Sequence, residues 1–180
     1  MRFLIKTILL SLLLTISSCK KQEDVIINTV IIKEIEVFIP SSGGITDYDT
    51  GNYGVDIFNA DLIDYIPSGD PTLKEITVNK ITYTLKELEG DDDTIIRSFL
   101  MAVSDVRVVL DYDDFSPKEA VDNNTRYNAG DAVQLDIIGN SMLENLGTTL
   151  KISGSASASE ATTIVVEVKI DVTVVSNPID

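Results

Sequence analysis

The strongest hydrophobic pattern lies near the end of the chain, where apolar residues alternate with other residues over positions 164–175. Its apolar side consists of Ile164, Val166, Val168, Ile170, Val172 and Val174. A strict period of two predicts a β-strand with one buried face. The segment from Leu150 to Ala158 alternates in the same way. We expect it to be the hairpin partner of the last strand, with a turn at residues 159–161.

Two other segments are rich in β-branched residues. Residues 25–39 are almost continuously apolar and predict one long strand, or two with a kink, ended by Pro40 and the serines and glycines that follow it. Residues 45–54 are rich in Asp, Gly and Tyr and predict a loop. The run from Ile95 to Leu110 predicts two strands around Ser104-Asp105, after a turn with three consecutive aspartates.

The strand predicted from Glu75 to Leu88 changes phase within its length. Its apolar residues lie at even positions up to Val78 and at odd positions from Ile81 onward. An alternation that slips by one residue inside a strand predicts a β-bulge, here near Asn79-Lys80.

Three segments carry signals for short helices. Residues 59–66 begin with an N-capping asparagine. Residues 116–119, Ser-Pro-Lys-Glu, form a capping box with proline at the first helical position. Residues 141–147 form a second capping box that ends in Gly147, a residue suited to the left-handed position after a helix. Just before it, residues 133–137 alternate in hydrophobicity and predict a strand.

These elements predict an all-β fold. Several strands, short loops and no long helix are typical of an antiparallel β-sandwich, immunoglobulin-like or related, with one to three short capping helices. A chain of this length suits a single domain, which we place at residues 25–180. Such a domain buries about 68–70% of its chain surface and needs neither a metal nor a disulfide to fold.

The first 18 residues have the layout of a signal peptide. Arg2 and Lys6 give a positive start, and an apolar run follows up to Ile16. The run is too short for a permanent transmembrane helix, which needs roughly 20 apolar residues.

The segment ends in Ile16-Ser17-Ser18-Cys19. This sequence resembles the lipobox of bacterial lipoproteins, and the resemblance implies cleavage before Cys19 and attachment of a lipid to its sulfur. Cys19 is the only cysteine of the chain and therefore has no disulfide partner within it. The alternative is an ordinary secreted protein with an odd cysteine.

Residues 19–24 form a short charged tether, Cys-Lys-Lys-Gln-Glu-Asp. It looks like the signal that carries lipoproteins of the Bacteroidota to the outer face of the outer membrane, which implies a lipid-anchored protein facing the cell exterior. A plain solvated linker, on a protein that faces the periplasm, is the alternative.

The chain is strongly acidic. It has 29 Asp and Glu against 14 Lys and Arg, and a formal net charge of −15. Removing residues 1–18 takes away Arg2 and Lys6 but no acid, so the net charge becomes −17. This charge repels phosphate backbones, and we exclude nucleic acid as a partner.

The chain contains no histidine and no tryptophan. Without histidine, Ser-His-Asp and Cys-His catalysis are impossible, and the usual zinc and iron sites lose their commonest ligand. A glycosidase would still need two carboxyl groups at a defined separation, one of them with a raised pKa. We therefore expect a protein that is not an enzyme and that holds no cofactor and no metal.

Two candidate sites involve the acidic turns. Carboxylates that could coordinate Ca²⁺ belong to Asp91, Asp92, Asp93, Asp111, Asp113 and Asp114. Because the twelve-residue calcium loop with its glycine and terminal glutamate is missing, we favour solvated turn acids. Asp93-Thr94-Ile95 resembles the Asp-Ser/Thr-apolar sequon for O-glycosylation in Bacteroidota, so Thr94, on a turn expected to be exposed, is a candidate acceptor.

Six tyrosines lie largely in or beside predicted loops. They are Tyr48, Tyr53, Tyr65, Tyr83, Tyr112 and Tyr127. Tyrosine suits binding surfaces because its ring is rigid and amphipathic. Structural tyrosines in turns and at core edges are the favoured alternative.

The lipobox, residues 59–66, the strand at 74–88 and the ending from Leu143 to Pro178 together resemble small lipoproteins of the Bacteroidota with a β-sandwich domain. The family carries no activity that could be transferred. We expect a membrane-anchored surface binding or adhesion module with a protein or glycan partner. The alternative is a structural subunit of an envelope complex, which would add a strand to an exposed edge such as residues 25–39.

Overall fold

The computed structural model describes residues 24–56, 73–103, 106–111, 114–145 and 147–176. The predicted signal peptide, Cys19, the predicted helix at residues 59–66, Tyr65 and Tyr112 lie outside the described residues.

The described residues form nine strands and two helices. The strands are β1 (Val25–Ile39), β2 (Ile45–Asp49), β3 (Tyr53–Asp56), β4 (Leu73–Glu89), β5 (Ile95–Val103), β6 (Val106–Asp111), β7 (Arg126–Ala129), β8 (Gly147–Ser157) and β9 (Thr162–Ser176). The helices are α1 (Pro117–Asp122) and α2 (Ala132–Asn145).

The strands form two antiparallel sheets that pack face to face. One sheet has the order β1-β9-β4-β7 and the other the order β2-β8-β5-β6, with β3 also paired to β8. The predicted antiparallel β-sandwich is therefore confirmed. If β2 and β3 are taken as one interrupted strand, the order is that of an eight-stranded jelly roll. An immunoglobulin domain differs, since its first two strands share a sheet.

The jelly-roll order corrects one prediction about the end of the chain. β8 and β9 have the predicted alternation, but they are not a hairpin: β8 pairs with β2, β3 and β5, whereas β9 pairs with β1 and β4. The turn at residues 159–161 instead carries the chain from one sheet to the other. The alternation of a strand shows only that one of its faces is buried. It does not show which strand lies beside it in the sheet.

Several local predictions are confirmed. Residues 25–39 form the single strand β1, and residues 95–103 and 106–111 form β5 and β6. The pairing of β4 with β9 shifts register between Val78 and Lys80, as expected for the predicted bulge. The predicted loop at residues 45–54 is wrong, because this segment contains β2 and the start of β3, both paired to β8.

The helical predictions have mixed outcomes. α1 is capped as expected, since the Ser116 side chain accepts a hydrogen bond from the Glu119 N–H. The strand predicted at residues 133–137 and the short helix at 141–147 are both wrong, because residues 132–145 form one helix, α2. Gly147 opens strand β8 instead of ending a helix.

A capping box that the sequence analysis overlooked begins α2. The Gln134 N–H donates to Asp131 Oδ1, and the Asp131 N–H donates to Gln134 Oε1, both at 2.9 Å. These two bonds satisfy main-chain donors that the first helical turn leaves free. Ile138 and Met142 then face inward one turn apart, and they are fully buried.

α2 covers part of one edge of the four-stranded sheet. β7 pairs only with Ile81–Thr84 of β4, and no other described strand pairs with the start of that edge. Gly139 of α2 approaches this edge so closely that a Cβ atom there would lie 2.5 Å from the Ile76 carbonyl oxygen. The helix therefore protects main-chain groups that the neighbouring strand does not reach.

Candidate interaction surface at the edge of the four-stranded sheet

Strand β1 forms the opposite edge of the four-stranded sheet. It pairs with β9 over its whole length, from Val25 opposite Ser176 to Ile39 opposite Thr162, with no register shift. Among the described residues, no strand pairs with its other side. A strand of 15 residues is about 50 Å long and carries a row of main-chain donors and acceptors along that side.

The outer face of β1 carries exposed apolar side chains. The exposed fraction is 64% for Ile26, 49% for Val30, 53% for Ile32 and 61% for Phe38. We call these four residues the outer row. Four of the seven large hydrophobic residues that are exposed in the described part of the chain therefore lie on this one strand. Val30 and Ile32 are neighbours on this face, and adjacent exposed apolar side chains are typical of interaction sites.

Polar residues share the outer face with this row. Asn28, Glu34 and Glu36 point to the same side and are exposed, whereas Lys33 is half-buried on the inner side. Natural sheets protect their edges with proline, bulges or charge. β1 has neither a proline nor a bulge, and its two outer glutamates lie in its second half. The first half of the edge is therefore unprotected by charge.

The prediction that residues 25–39 form an edge strand is confirmed, but the sequence analysis did not identify the outer row. The signal was present, since Asn28, Glu34 and Glu36 all occupy even positions and mark these as the solvent side. Apolar residues at even positions of the same strand must then be exposed. The near-continuous apolar run concealed this alternation.

The candidate glycosylation residue lies elsewhere, at one end of the sandwich. Thr94 is fully buried, and its Oγ1 is 3.1 Å from Oγ1 of Thr162. The expectation that Thr94 lies on an exposed turn is therefore wrong. The threonine packs beneath the crossover from β8 to β9, and the folded domain does not present its hydroxyl to a transferase.

Asp91 fastens this same end of the sandwich. Its carboxylate accepts hydrogen bonds from the N–H and hydroxyl of Ser159 and from the Asp93 N–H. The Ser159 N–H, the Ser159 hydroxyl, the Asp93 N–H and the Glu160 N–H hold the pKa of Asp91 below its usual range. The prediction that Asp91 is a solvated turn acid is therefore wrong. The residue is buried, and its hydrogen bonds connect the β4–β5 turn to the crossover from β8 to β9.

The other candidate calcium ligands are described only in part. Within the described residues, no three acidic side chains gather in a group that could hold a metal ion. Asp113 and the side chain of Asp111 lie outside the described residues.

A shallow groove crosses the outer face of the second sheet. Its volume is about 400 Å³, and it is lined by Asp47, Tyr48, Asp49, Ser98, Leu100, Ser153 and Gly154. Asp49 forms an ion pair with Lys151, and this pairing together with the Gly51 N–H lowers the pKa of Asp49. A lowered pKa is the opposite of what a general acid requires.

The tyrosines of the described residues pack within or at the edge of the hydrophobic core and are not exposed on the surface. Tyr48 and Tyr83 are buried, and Tyr53 and Tyr127 are half-buried. Tyr83 stacks on Tyr127, with ring centroids 4.7 Å apart, and also on Phe99. The favoured alternative, structural tyrosines, therefore describes these four residues.

Comparisons with known proteins add no function. No protein-family model matches the chain, and no curated protein matches it. Within the described residues, no helix is both long and apolar enough to cross a membrane.

Solved structures to which the chain is similar include viral capsid proteins. A decameric BFDV capsid protein is 8% identical with a TM-score of 0.37, covering 83% of this chain and 99% of that one. Its 60-mer form is 7% identical with a TM-score of 0.39, covering 87% and 97%. A chain in a structure of Desmodium yellow mottle tymovirus is 11% identical with a TM-score of 0.35, and the match covers 86% of this chain and 90% of that one. Likenesses at this level carry no argument about function or assembly.

Proposed function

We propose that this chain is a non-catalytic lipoprotein, held on the outer membrane by a lipid on Cys19, whose β1 edge binds another protein at the cell surface. The observation that carries the proposal is the 15-residue strand β1, whose outer edge is paired with no other described strand, together with its outer row. A free strand edge offers main-chain hydrogen bonds, and an apolar face beside it adds affinity and specificity. This combination favours a protein partner over a glycan.

The absence of catalysis is part of the proposal. The chain has no histidine, and the pKa of Asp49 and that of Asp91 are both lowered, which keeps these carboxyl groups ionised. Two hydroxyl groups of the groove on the second sheet are engaged: Ser98 Oγ lies 2.9 Å from Ser155 Oγ and accepts from the Ser155 N–H, and the Tyr48 hydroxyl donates to the Ser98 carbonyl.

A structural subunit of an envelope complex is the second candidate function. The same edge supports it, because an added strand from a neighbouring subunit would continue the four-stranded sheet. The two candidates differ in which side of the membrane the domain faces.

The anchor and its orientation are tested by protease treatment of intact cells that express the wild-type chain or Cys19→Ala. We expect the wild-type domain to be membrane-bound and digested, and the Cys19→Ala chain to be released or left unprocessed. Protection of the wild type while the outer membrane stays intact would instead place the domain in the periplasm and favour the envelope-subunit function.

The binding edge is tested by placing a photo-crosslinking amino acid at Ile32 in intact cells. The matched control carries the same amino acid at Glu119, an exposed position on α1. We expect a protein adduct from position 32 and none from position 119. Equal adducts from both positions, or none from either, would overturn the β1 edge as the binding surface.

A further inference from the structure

The sequence of β1 is complementary to itself in one antiparallel register. When two copies of a 15-residue strand overlap completely, Val25 of one copy lies opposite Ile39 of the other, and the central residue, Ile32, lies opposite itself. The two sheets then continue into each other across a twofold axis, a symmetry in which the same surface serves both partners.

Side chains in this register match at the ends of the strands and avoid pairs of like charge. On the outer face Ile26 lies opposite Phe38, so that the apolar ends of the two outer rows meet. Glu34 lies opposite Val30, and Glu36 lies opposite Asn28. No like charges face each other directly, which matters because directly opposed like charges destabilise a strand pair.

Neighbouring registers are less favourable. A slip by one residue in the pairing would place the outer face of one copy beside the inner face of the other. Registers that keep the faces aligned and move the centre toward the C-terminus place Lys33 opposite Lys33, or Glu34 opposite Glu34. Moving the centre to Ile31 leaves Phe38 and Ile39 without cross-strand partners.

We infer that the partner of the β1 edge is a second copy of this chain, paired antiparallel through β1 with Ile32 at the twofold axis. This inference deepens the proposed function, on which it rests, by naming the partner. The net charge of −17 after removal of residues 1–18 opposes self-association, but β1 itself carries only Lys33, Glu34 and Glu36. Repulsion between the remaining acids acts at longer range and is screened beyond about 8–10 Å at ordinary ionic strength.

The register is tested by single cysteines in the full-length chain in its own membrane, with a mild thiol oxidant added to the cells. The variants are Ile32→Cys, Val30→Cys and Glu34→Cys, all at exposed positions of one strand. Directly opposite residues have Cα atoms about 4.5–5.5 Å apart, within the range that a disulfide spans. In the inferred register, position 30 lies four residues, or about 13 Å, from its own copy, which is too far.

Among cells that express a single variant, we expect a disulfide-linked dimer only from Ile32→Cys. Neither Val30→Cys nor Glu34→Cys alone should form one, but cells that express these two variants together should form the mixed dimer. Val30→Cys and Glu34→Cys also control for any unlipidated Cys19, which all variants share. Equal dimer yields from all three single variants would indicate random collision and overturn the register.

The photo-crosslink from position 32 separates this inference from the proposed function. An adduct of twice the chain mass, together with the Ile32→Cys dimer, supports both. An adduct with a different protein and no Ile32→Cys dimer overturns the second copy but leaves the binding edge intact. An adduct with lipid alone, or none at all, together with no dimer, overturns both.

Discussion

The phenol of Tyr48 in β2 reaches across strand β8 and donates a hydrogen bond to the main-chain carbonyl of Ser98 in β5, at 2.9 Å. The pairing of β5 with β8 shifts register next to Ser98, and the tyrosine supplies a donor at that shift. Gly154 of β8 lies between the two residues, opposite Tyr48 on one side and Phe99 on the other. Three strands of the second sheet are thus joined at one point.

Gly154→Ala should destabilise the domain by about 2–4 kcal/mol, from overpacking and the loss of the hydrogen bond. A Cβ atom at this position would lie 2.0 Å from the Ser98 carbonyl oxygen and 2.6 Å from Tyr48 Oη. Urea unfolding followed by circular dichroism measures the change. Gly54→Ala in β3 is the control, since nothing lies within 4 Å of its Cβ position; an equal loss there would contradict the steric explanation.

Tyr48→Phe should cost about 1 kcal/mol at neutral pH, the usual contribution of one hydrogen bond. Burial, and to a smaller extent the neighbouring Tyr83, raises the pKa of Tyr48. The unfolded chain ionises this phenol near pH 10, whereas the folded chain keeps the proton, so wild-type stability is lost as pH rises above that value. By pH 11 the difference should have moved by about 1.4 kcal/mol in favour of Tyr48→Phe, which cancels the wild-type advantage of about 1 kcal/mol and slightly reverses it.

The measurement for Tyr48 is the free energy of unfolding of both proteins between pH 7 and pH 11. The two proteins differ only at position 48, so the difference isolates the effect of the Tyr48 hydroxyl. A difference that stays constant up to pH 11 would show that the pKa of Tyr48 is not raised.

Asp91→Asn should lower stability at pH 7, because the amide replaces a carboxylate that accepts three hydrogen bonds from Ser159 and Asp93. The pKa of Asp91 is lowered in the folded state, so the stabilisation is present above the unfolded value, about 3.9, and is lost as pH falls through the folded value. Unfolding measured from pH 7 to pH 3 should show the two proteins converging. Asp92→Asn, at an exposed neighbour, should have little effect at any of these pH values.

Gly139→Ala distinguishes helix propensity from packing. Alanine favours an isolated helix by about 1 kcal/mol over glycine. The Cβ atom, however, would lie 2.5 Å from the Ile76 carbonyl oxygen, so the close approach of α2 to β4 should fail. We expect a net loss of about 1–3 kcal/mol in urea unfolding. Asp136→Ala, at an exposed position of α2, should change stability by less than about 0.5 kcal/mol, and a stabilised Gly139→Ala would refute the close contact.

Much of the local structure follows from the sequence because its causes are local. The alternation of β9, the length of β1, the bulge before Lys80 and the Ser116 cap each depend on residues within a few positions of one another. The Asp131–Gln134 capping box is local in the same way and was available to sequence reasoning. The prediction for this segment relied instead on the alternation at residues 133–137, which matches a strand only by chance.

The candidate surface was partly predictable. A long apolar segment at the start of the chain indicates a strand, and its even-numbered polar residues indicate which face meets solvent. Whether that strand is central or at an edge depends on which other strands pair with it. That is decided by segments far away in sequence, here by β9, which pairs with β1 on one side and β4 on the other.

The sequence by itself therefore determined the long strands β1, β4, β8 and β9, the buried face of β9 and the acidic, histidine-free character of the chain. Only the tertiary structure decided that β8 and β9 belong to opposite sheets, that Thr94 is buried, and that β9 is the one described strand that pairs with β1. The physical reason is that a period of two specifies a face but no neighbour. Neighbours are chosen by the packing of the whole sandwich, where long-range pairings compete for the same main-chain groups.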